Sequence, residues 1–289
     1  MEILGTLDKG TKIQRYMDLS KFIHVLENKQ LFMCRMDYFE DKLEGGLTAL
    51  NDFVYSGAAE ALSHLVNNSL PMSFGKGFNS PETIEKAQKR EKEYNEESKT
   101  RSLSTVFGDI ELSEVITYKN VISEQKKWLD ISCWHLNTDD FESIAMWKIY
   151  GGGTNSVCIT TTVGQLLDAI ENQSLNLLVS KVEYINHYED YYKTDHLIAP
   201  FIHKHKAYKF ENEVRFIAYN AEVNPLCNRD DAGSVINLRS NNFINDVKVS
   251  PEAPEWFFKL IKSIFNTRYG QVGKVARSDL DQLISTFGN

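Results

Sequence analysis

Apolar positions change period several times along the chain, and each change marks an element. Residues 11–19, "TKIQRYMDL", read as a short strand. From there Leu19, Phe22, Ile23 and Leu26 recur at helical spacing, with Ser20 as a candidate cap and Asn28 and Lys29 closing the turn. A new strand is expected at Leu31–Cys34, followed by an acidic loop that Gly45 and Gly46 punctuate. Residues from about 50 to 127 read as mostly helical: "DFVYSGAAEALSHLV" has an amphipathic period, and "SPETIEKAQKREKEYNEESKTRS" opens on Ser80 and Pro81, a helix-start signal. The charge run in that second stretch fits a solvated helix face. From Trp128 onward β-branched, apolar stretches ("WLDISCWHL", "NSVCITTT", "LVSKVEYI", "EVRFIAY", "INDVKVS", "GKVARS") are separated by two helical ones, "TVGQLLDAIENQ" and "PEWFFKLIKSIFNT". The pattern predicts an α+β fold with a mixed or mainly antiparallel sheet. No linker or repeat divides the chain, so residues 1–289 are expected to form one domain with a helical insertion at about 50–127.

Composition narrows the class. A chain of 289 residues with 42% hydrophobic content has ample material for a core. The formal net charge of -8 gives no overall electrostatic reason to bind a nucleic-acid backbone, although a local basic groove is compatible with it. Cys34, Cys133, Cys158 and Cys227 are scattered, without the dense spacing of a disulfide framework or a CxxC pair, and read as reduced thiols. The start, "MEILGTLDKG", lacks a basic region followed by an apolar core, and no run of roughly 18 apolar residues occurs. The expectation is a soluble, cytoplasmic protein with no membrane partner.

The candidate chemistry lies in "AYKFENEVRFIAY", residues 207–219, which puts unusual charge into a strand pattern. Strict alternation places Lys209, Glu211, Glu213 and Arg215 on one face and Phe210, Asn212, Val214 and Phe216 on the other. An exposed strand with cross-strand ion pairs would account for this; so would a catalytic row. Other clusters are less specific. "FIHKHK" sets His203 and His205 two apart, which on a strand could face a metal, but no cysteine or carboxylate stands at ligand spacing, and no metal site is expected. "YGGGTNS", Tyr150 to Ser156, could cradle a phosphate through its amides but lacks the lysine and threonine of a Walker loop, so a hairpin-like loop is the simpler expectation. Glu213-Val214-Arg215 falls short of a nuclease Glu-x-Lys because arginine does not readily deprotonate. A metal-dependent nuclease would need an ion at His203, His205 or the glutamates.

Across nearly its whole length the chain resembles the bacterial and phage family called domain of unknown function 2971. The similarity is carried by Leu31–Phe32 with the loop of Asp41 and Glu44, by Met146–Trp147 and Tyr150, by Lys206 with Glu211, Glu213 and Arg215, and by the closing Ser278–Leu280. A second resemblance is to DarT-like ADP-ribosyltransferases and RNA 2′-phosphotransferases. "RYMDLSKFIHVLENKQL" is similar to their strand, helix and strand, with Arg15 at the cofactor-binding position, and Glu213 matches their strand glutamate. The chain departs from that pattern at Met17, where Thr or Ser is usual, and in lacking a Ser-Thr-Ser strand. This resemblance implies an ADP-ribosyltransferase-like split sheet and an enzyme that transfers ADP-ribose from NAD or hydrolyses NAD, in a toxin or phage-defence setting. It also implies roles. Glu213 would stabilise the oxocarbenium-like state and Glu211 would orient the acceptor or take its proton; Arg15, Tyr16, Tyr150 and Lys206 would bind NAD; Asp41 and Glu44 would form a substrate loop. The acceptor stays open between protein, nucleic acid and small molecule, and an antitoxin or phage protein is an expected partner. A non-catalytic module that binds a nucleotide or a protein is the alternative.

Overall fold

A computed structural model describes residues 1–41, 43–56, 58, 62, 102–113, 115–137, 142–171, 174–193, 196–271 and 273–281. After a two-residue strand β1 (Glu2–Ile3), the chain runs β2 (Lys12–Asp18), α1 (Leu19–Asn28) and β3 (Gln30–Arg35). Asp18 caps α1, accepting from the Lys21 amide at 2.9 Å. Ser20, expected as the cap, instead donates its hydroxyl to Asp18. The helix stops where Lys29 turns left-handed at φ 50° and its amide reaches the Val25 carbonyl.

The insertion is not purely helical. It holds α2 (Ala49–Tyr55), a hairpin of β4 (Ser102–Thr105) and β5 (Gly108–Glu111), and α3 (Tyr118–Gln125). Tyr55 and Tyr118 stack at 4.3 Å, joining α2 to α3. The charged helix expected from Ser80 lies outside the described residues. Next come β6 (Asp130–Leu136), a π-helical turn at Trp147–Gly151, β7 (Ser156–Thr162) and α4 (Val163–Ala169). They are followed by β8 (Asn176–Lys181), β9 (Glu183–Ile185), β10 (His203–His205), a 3-10 turn at Lys206–Glu211, and β11 (Glu213–Tyr219). The chain closes with β12 (Gly233–Asn237), β13 (Asp246–Val249), α5 (Glu255–Lys262) and β14 (Lys274–Arg277).

Ten strands form one mixed sheet in the order β1-β8-β11-β6-β2-β7-β13-β14, with β3 and β12 as a branch. The β1–β8 and β13–β14 pairs are parallel; the other pairs of this sheet are antiparallel. The branch has a simple origin. One edge of β6 pairs with β2 at its end (Ile13 with Leu136, Gln14 with His135) and with β3 at its start (Cys34 with Ile131, Arg35 with Asp130). The strands β2 and β3 therefore part from a common edge, and α1 bridges the gap.

Each sheet face has its own cover. Helices α1, α4 and α5 bury Phe22, Leu26, Val163, Leu166, Phe257 and Ile261 against Ile13, Met17, Trp134, Val214 and Phe216. Each such side chain contributes about 1.5–3 kcal/mol by leaving water. The opposite face carries a second core of Ile131, Leu178 and Ile217 under Met36, Tyr118, Ile122, Ile198 and Phe201. So β11 is an interior strand covered on both sides, contrary to the expectation of an exposed charged face: Glu213 and Arg215 are buried. No helix among the described residues is long and apolar enough to cross a membrane.

Candidate functional site

Residues 207–219 do not form one strand. Lys206–Glu211 winds as a 3-10 turn, Asn212 takes a left-handed conformation at φ 46°, and only then does β11 begin. Asparagine visits that backbone more readily than most residues because its short polar side chain can hydrogen-bond locally. The bend keeps Glu211 near Glu213, although the two are not successive members of a strand face. Lys204 on β10 meets both, with Nζ 2.6 Å from Glu211 Oε2 and 3.3 Å from Glu213 Oε2. Arg215 grips Glu213 through Nε at 2.9 Å and Nη2 at 3.3 Å, donates to the Phe201 carbonyl at 2.6 Å, and pairs with Glu44 from the acidic loop. The Tyr150 hydroxyl, carried on the π-helical turn, donates to Glu211 Oε1 at 2.8 Å, and the Glu213 amide donates to the Tyr184 hydroxyl at 2.8 Å. π-Helical turns recur at functional sites because they push one side chain out of helical register.

The electrostatics follow from burial. Glu211 is 3% exposed and Glu213 1%. Three carboxylates, Glu44, Glu211 and Glu213, face two cations, Lys204 and Arg215, so the ionised cluster carries one surplus negative charge. Burial, with Glu211 nearby, raises the Glu213 pKa despite Lys204. For Lys204, burial opposes the charge, but Glu213 and Glu211 outweigh it and hold the ammonium protonated. Burial pulls Arg215 down to about 9, which leaves it a cation at neutral pH. Burial likewise drops His135 to about 4, so its ring is neutral. Its Nδ1 lies 2.8 Å from the Glu211 carbonyl, which can only accept, so Nδ1 carries the proton and Nε2 is bare.

The same sheet face extends beyond the cluster. Glu213, His135, Gln14, Thr160, Asp246 and Lys274 are partners in register on successive strands, a row of polar side chains pointing one way. Tyr16 stands beside the row, 6.0 Å from the His135 ring and 5.0 Å from Trp147. At the far end is a cavity of about 360 Å³ whose wall mixes Lys12, Lys248 and Lys274 with Asp246 and Asp279, and Lys248 is paired with Glu142 and Asp279. Three inter-strand spacings of about 4.8 Å put β7, at the edge of that cavity, roughly 14 Å from β11.

Of the residues singled out by sequence, Glu211, Glu213, Tyr150 and Glu44 come together, Tyr16 flanks them, and Asp41 acts on Arg215 through its charge. Two do not belong. Arg15 lies on the opposite face: it follows Gln14, the partner of His135, so alternation turns it toward Ser132 and Trp134 on the helix-covered side. Lys206 is half exposed and pairs at the surface with Asp190 at 2.8 Å. In the "YGGGTNS" segment Tyr150 and Gly151 end the π-helical turn, left-handed Gly152 follows, and an irregular turn leads into β7 at Ser156. His203 stacks on Tyr192 at 4.3 Å and reaches Glu183, while His205 lies beside His187. Sequence reasoning missed Lys204, hidden between those histidines, and His135 and Tyr184, whose partners are remote in sequence. No protein-family model, no curated protein and no solved structure matches the chain.

Proposed function

We propose that the chain cleaves the bond between nicotinamide and ribose in NAD, passing ADP-ribose to an acceptor or to water, with Glu211 as the reacting carboxylate. The observation that carries this reading is the convergence of Glu211, Glu213, Lys204 and Tyr150 from three separate segments of the chain. In this reaction the C1′–N bond breaks and its electron pair leaves with neutral nicotinamide. The ribose carbon then bears oxocarbenium-like charge until an acceptor atom bonds to it and sheds its proton. A fixed carboxylate beside the ribose stabilises that charge and can take the proton. Glu211 suits the task better than Glu213. Its Oε1 is engaged by a phenol hydroxyl, which a ribose hydroxyl can replace one for one, while Glu213 is clamped by Arg215 and keeps Lys204 in place. The half-buried ring of Tyr150 offers a stacking surface, and the polar, mixed-charge cavity on the same face has room for a further part of the substrate. Arg15 has no part in this site.

The resemblance to toxin-type transferases suggests an effector in toxin or phage defence, with an antitoxin or phage protein as partner. The test is release of nicotinamide from NAD by the purified full chain and by Glu211→Gln and Glu213→Gln. The reading expects release by the unaltered chain and a drop of about 100-fold or more in Glu211→Gln; a correctly folded chain that releases none overturns it. A second reading, a non-catalytic binding module, is favoured by one observation: Glu213 is 1% exposed with both oxygens engaged, as in an ion network that only fixes a fold. It predicts that NAD is left intact by every variant.

A further inference from the structure

Arg15 poses a problem that the carboxylate cluster does not solve. It is partly buried on the helix-covered face, and among the described residues its one hydrogen bond runs from Nη1 to Ser132 Oγ at 3.0 Å, with the guanidinium 5.7 Å from the Trp134 ring centroid. No carboxylate among the described residues pairs with it. A guanidinium has five N–H donors and keeps its charge, and a cation withdrawn from water without a counter-charge is costly. Burial accordingly lowers its pKa.

The space beside it is specific. Where β2 and β3 part from β6 and α1 bridges them, a cavity of about 130 Å³ opens, lined by Arg15, Met17, Val25, Leu31 and Phe32, with the polar Lys21, His24 and Gln30 completing the wall. Met17, Val25 and Leu31 are buried inner walls, while Phe32, 44% exposed, Lys21 and His24 reach solvent. Lys21 is already paired with Asp18, and His24 with Asn28, so among the described residues Arg15 is the cation of the site without a carboxylate partner. An apolar cavity of roughly 150 Å³ holds one benzene ring. A dinucleotide is far too large and too polar for this space.

We propose that this wedge between β2 and β3 is a binding site for a small organic carboxylate, with the carboxylate on Arg15 in a two-point contact and a single ring or short aliphatic body against Met17, Val25, Leu31 and Phe32. The site is separate from the Glu211 cluster, has its Arg15 turned to the other sheet face, and does not depend on the glycosidic-bond reading.

Benzoate, benzyl alcohol, inorganic phosphate and ADP-ribose serve as probes, titrated into the full chain by calorimetry and checked by the shift in its thermal unfolding midpoint. Benzoate should bind more tightly than benzyl alcohol or phosphate. Arg15→Met should weaken benzoate at least tenfold and leave benzyl alcohol unchanged. Phe32→Ala, which alters only the exposed rim, should weaken benzoate a few-fold without shifting the unfolding midpoint of the free protein. If Arg15→Met does not fold, the comparison of probes in the unaltered chain and in Phe32→Ala decides. Benzoate binding no better than benzyl alcohol, or phosphate binding better than benzoate, overturns the proposal. So does ADP-ribose binding that Arg15→Met abolishes while benzoate has no effect, since Arg15 would then belong to a dinucleotide site.

Discussion

Lys204 is the only cation among the described residues within ion-pair distance of both Glu211 and Glu213. Replacing it with Met leaves two buried carboxylates facing each other with one countercharge fewer. Lys204→Met should therefore cost about 3–5 kcal/mol, read from urea unfolding. The double variant Lys204→Met/Glu211→Gln should lose less than the sum of the two single changes, because it also removes the orphaned charge. His135 gives a pH signature. Its pKa is near 6.5 in the unfolded chain and about 4 in the folded one, so between those values only the unfolded chain takes up the proton. Its contribution is intact above about pH 6.5 and lost as pH falls toward 4, at about tenfold in the folding constant per pH unit. His135→Gln should remove that part of the slope. A stability curve in that window that is the same for both proteins would show that His135 is not held neutral.

At the scale of elements, the bend at Asn212 decides whether Glu211 reaches Lys204. A β-branched residue is strained in the left-handed region, so Asn212→Val should cost about 1–2 kcal/mol in unfolding measurements, whereas Asn212→Gly should stay within about 0.5 kcal/mol. Equal stability of the two would mean that this turn carries no strain. The bend also explains why "AYKFENEVRFIAY" misleads. Its alternation reads as one long strand, yet Phe210 is 48% exposed at the end of a 3-10 turn, and periodicity has no way to register a single left-handed residue. The strand, helix and strand from Lys12 to Arg35 were legible because a helical apolar spacing over Leu19–Leu26 ends at Asn28 and Lys29, before the short apolar run Leu31–Cys34. In the insertion, the hairpin from Ser102 to Glu111 escaped notice because its strands are short and mostly polar, each with a single apolar residue, Leu103 and Ile110, too few to show a period.

Across the whole molecule, the two sheet faces divide the chemistry. Which face Arg15 occupies is set by the pairing of Gln14 with His135, a contact between residues more than a hundred positions apart that no local pattern displays. A partial signal was present: Ile13 and Met17 share the face of Arg15 and mark it as the core side. The glutamates were legible as unusual charge and Tyr150 through the resemblance, but Lys204, His135 and Tyr184 were not, since their contacts with the glutamates arise in the tertiary fold. Whether Glu211 reacts or merely pairs is decided by calorimetric titration of NAD into the unaltered chain and into Glu211→Gln, each followed by measurement of released nicotinamide. If Glu211 reacts, both proteins bind NAD and only the unaltered chain releases nicotinamide at an appreciable rate. Equal release by both, or no binding by a folded unaltered chain, would contradict a reacting Glu211.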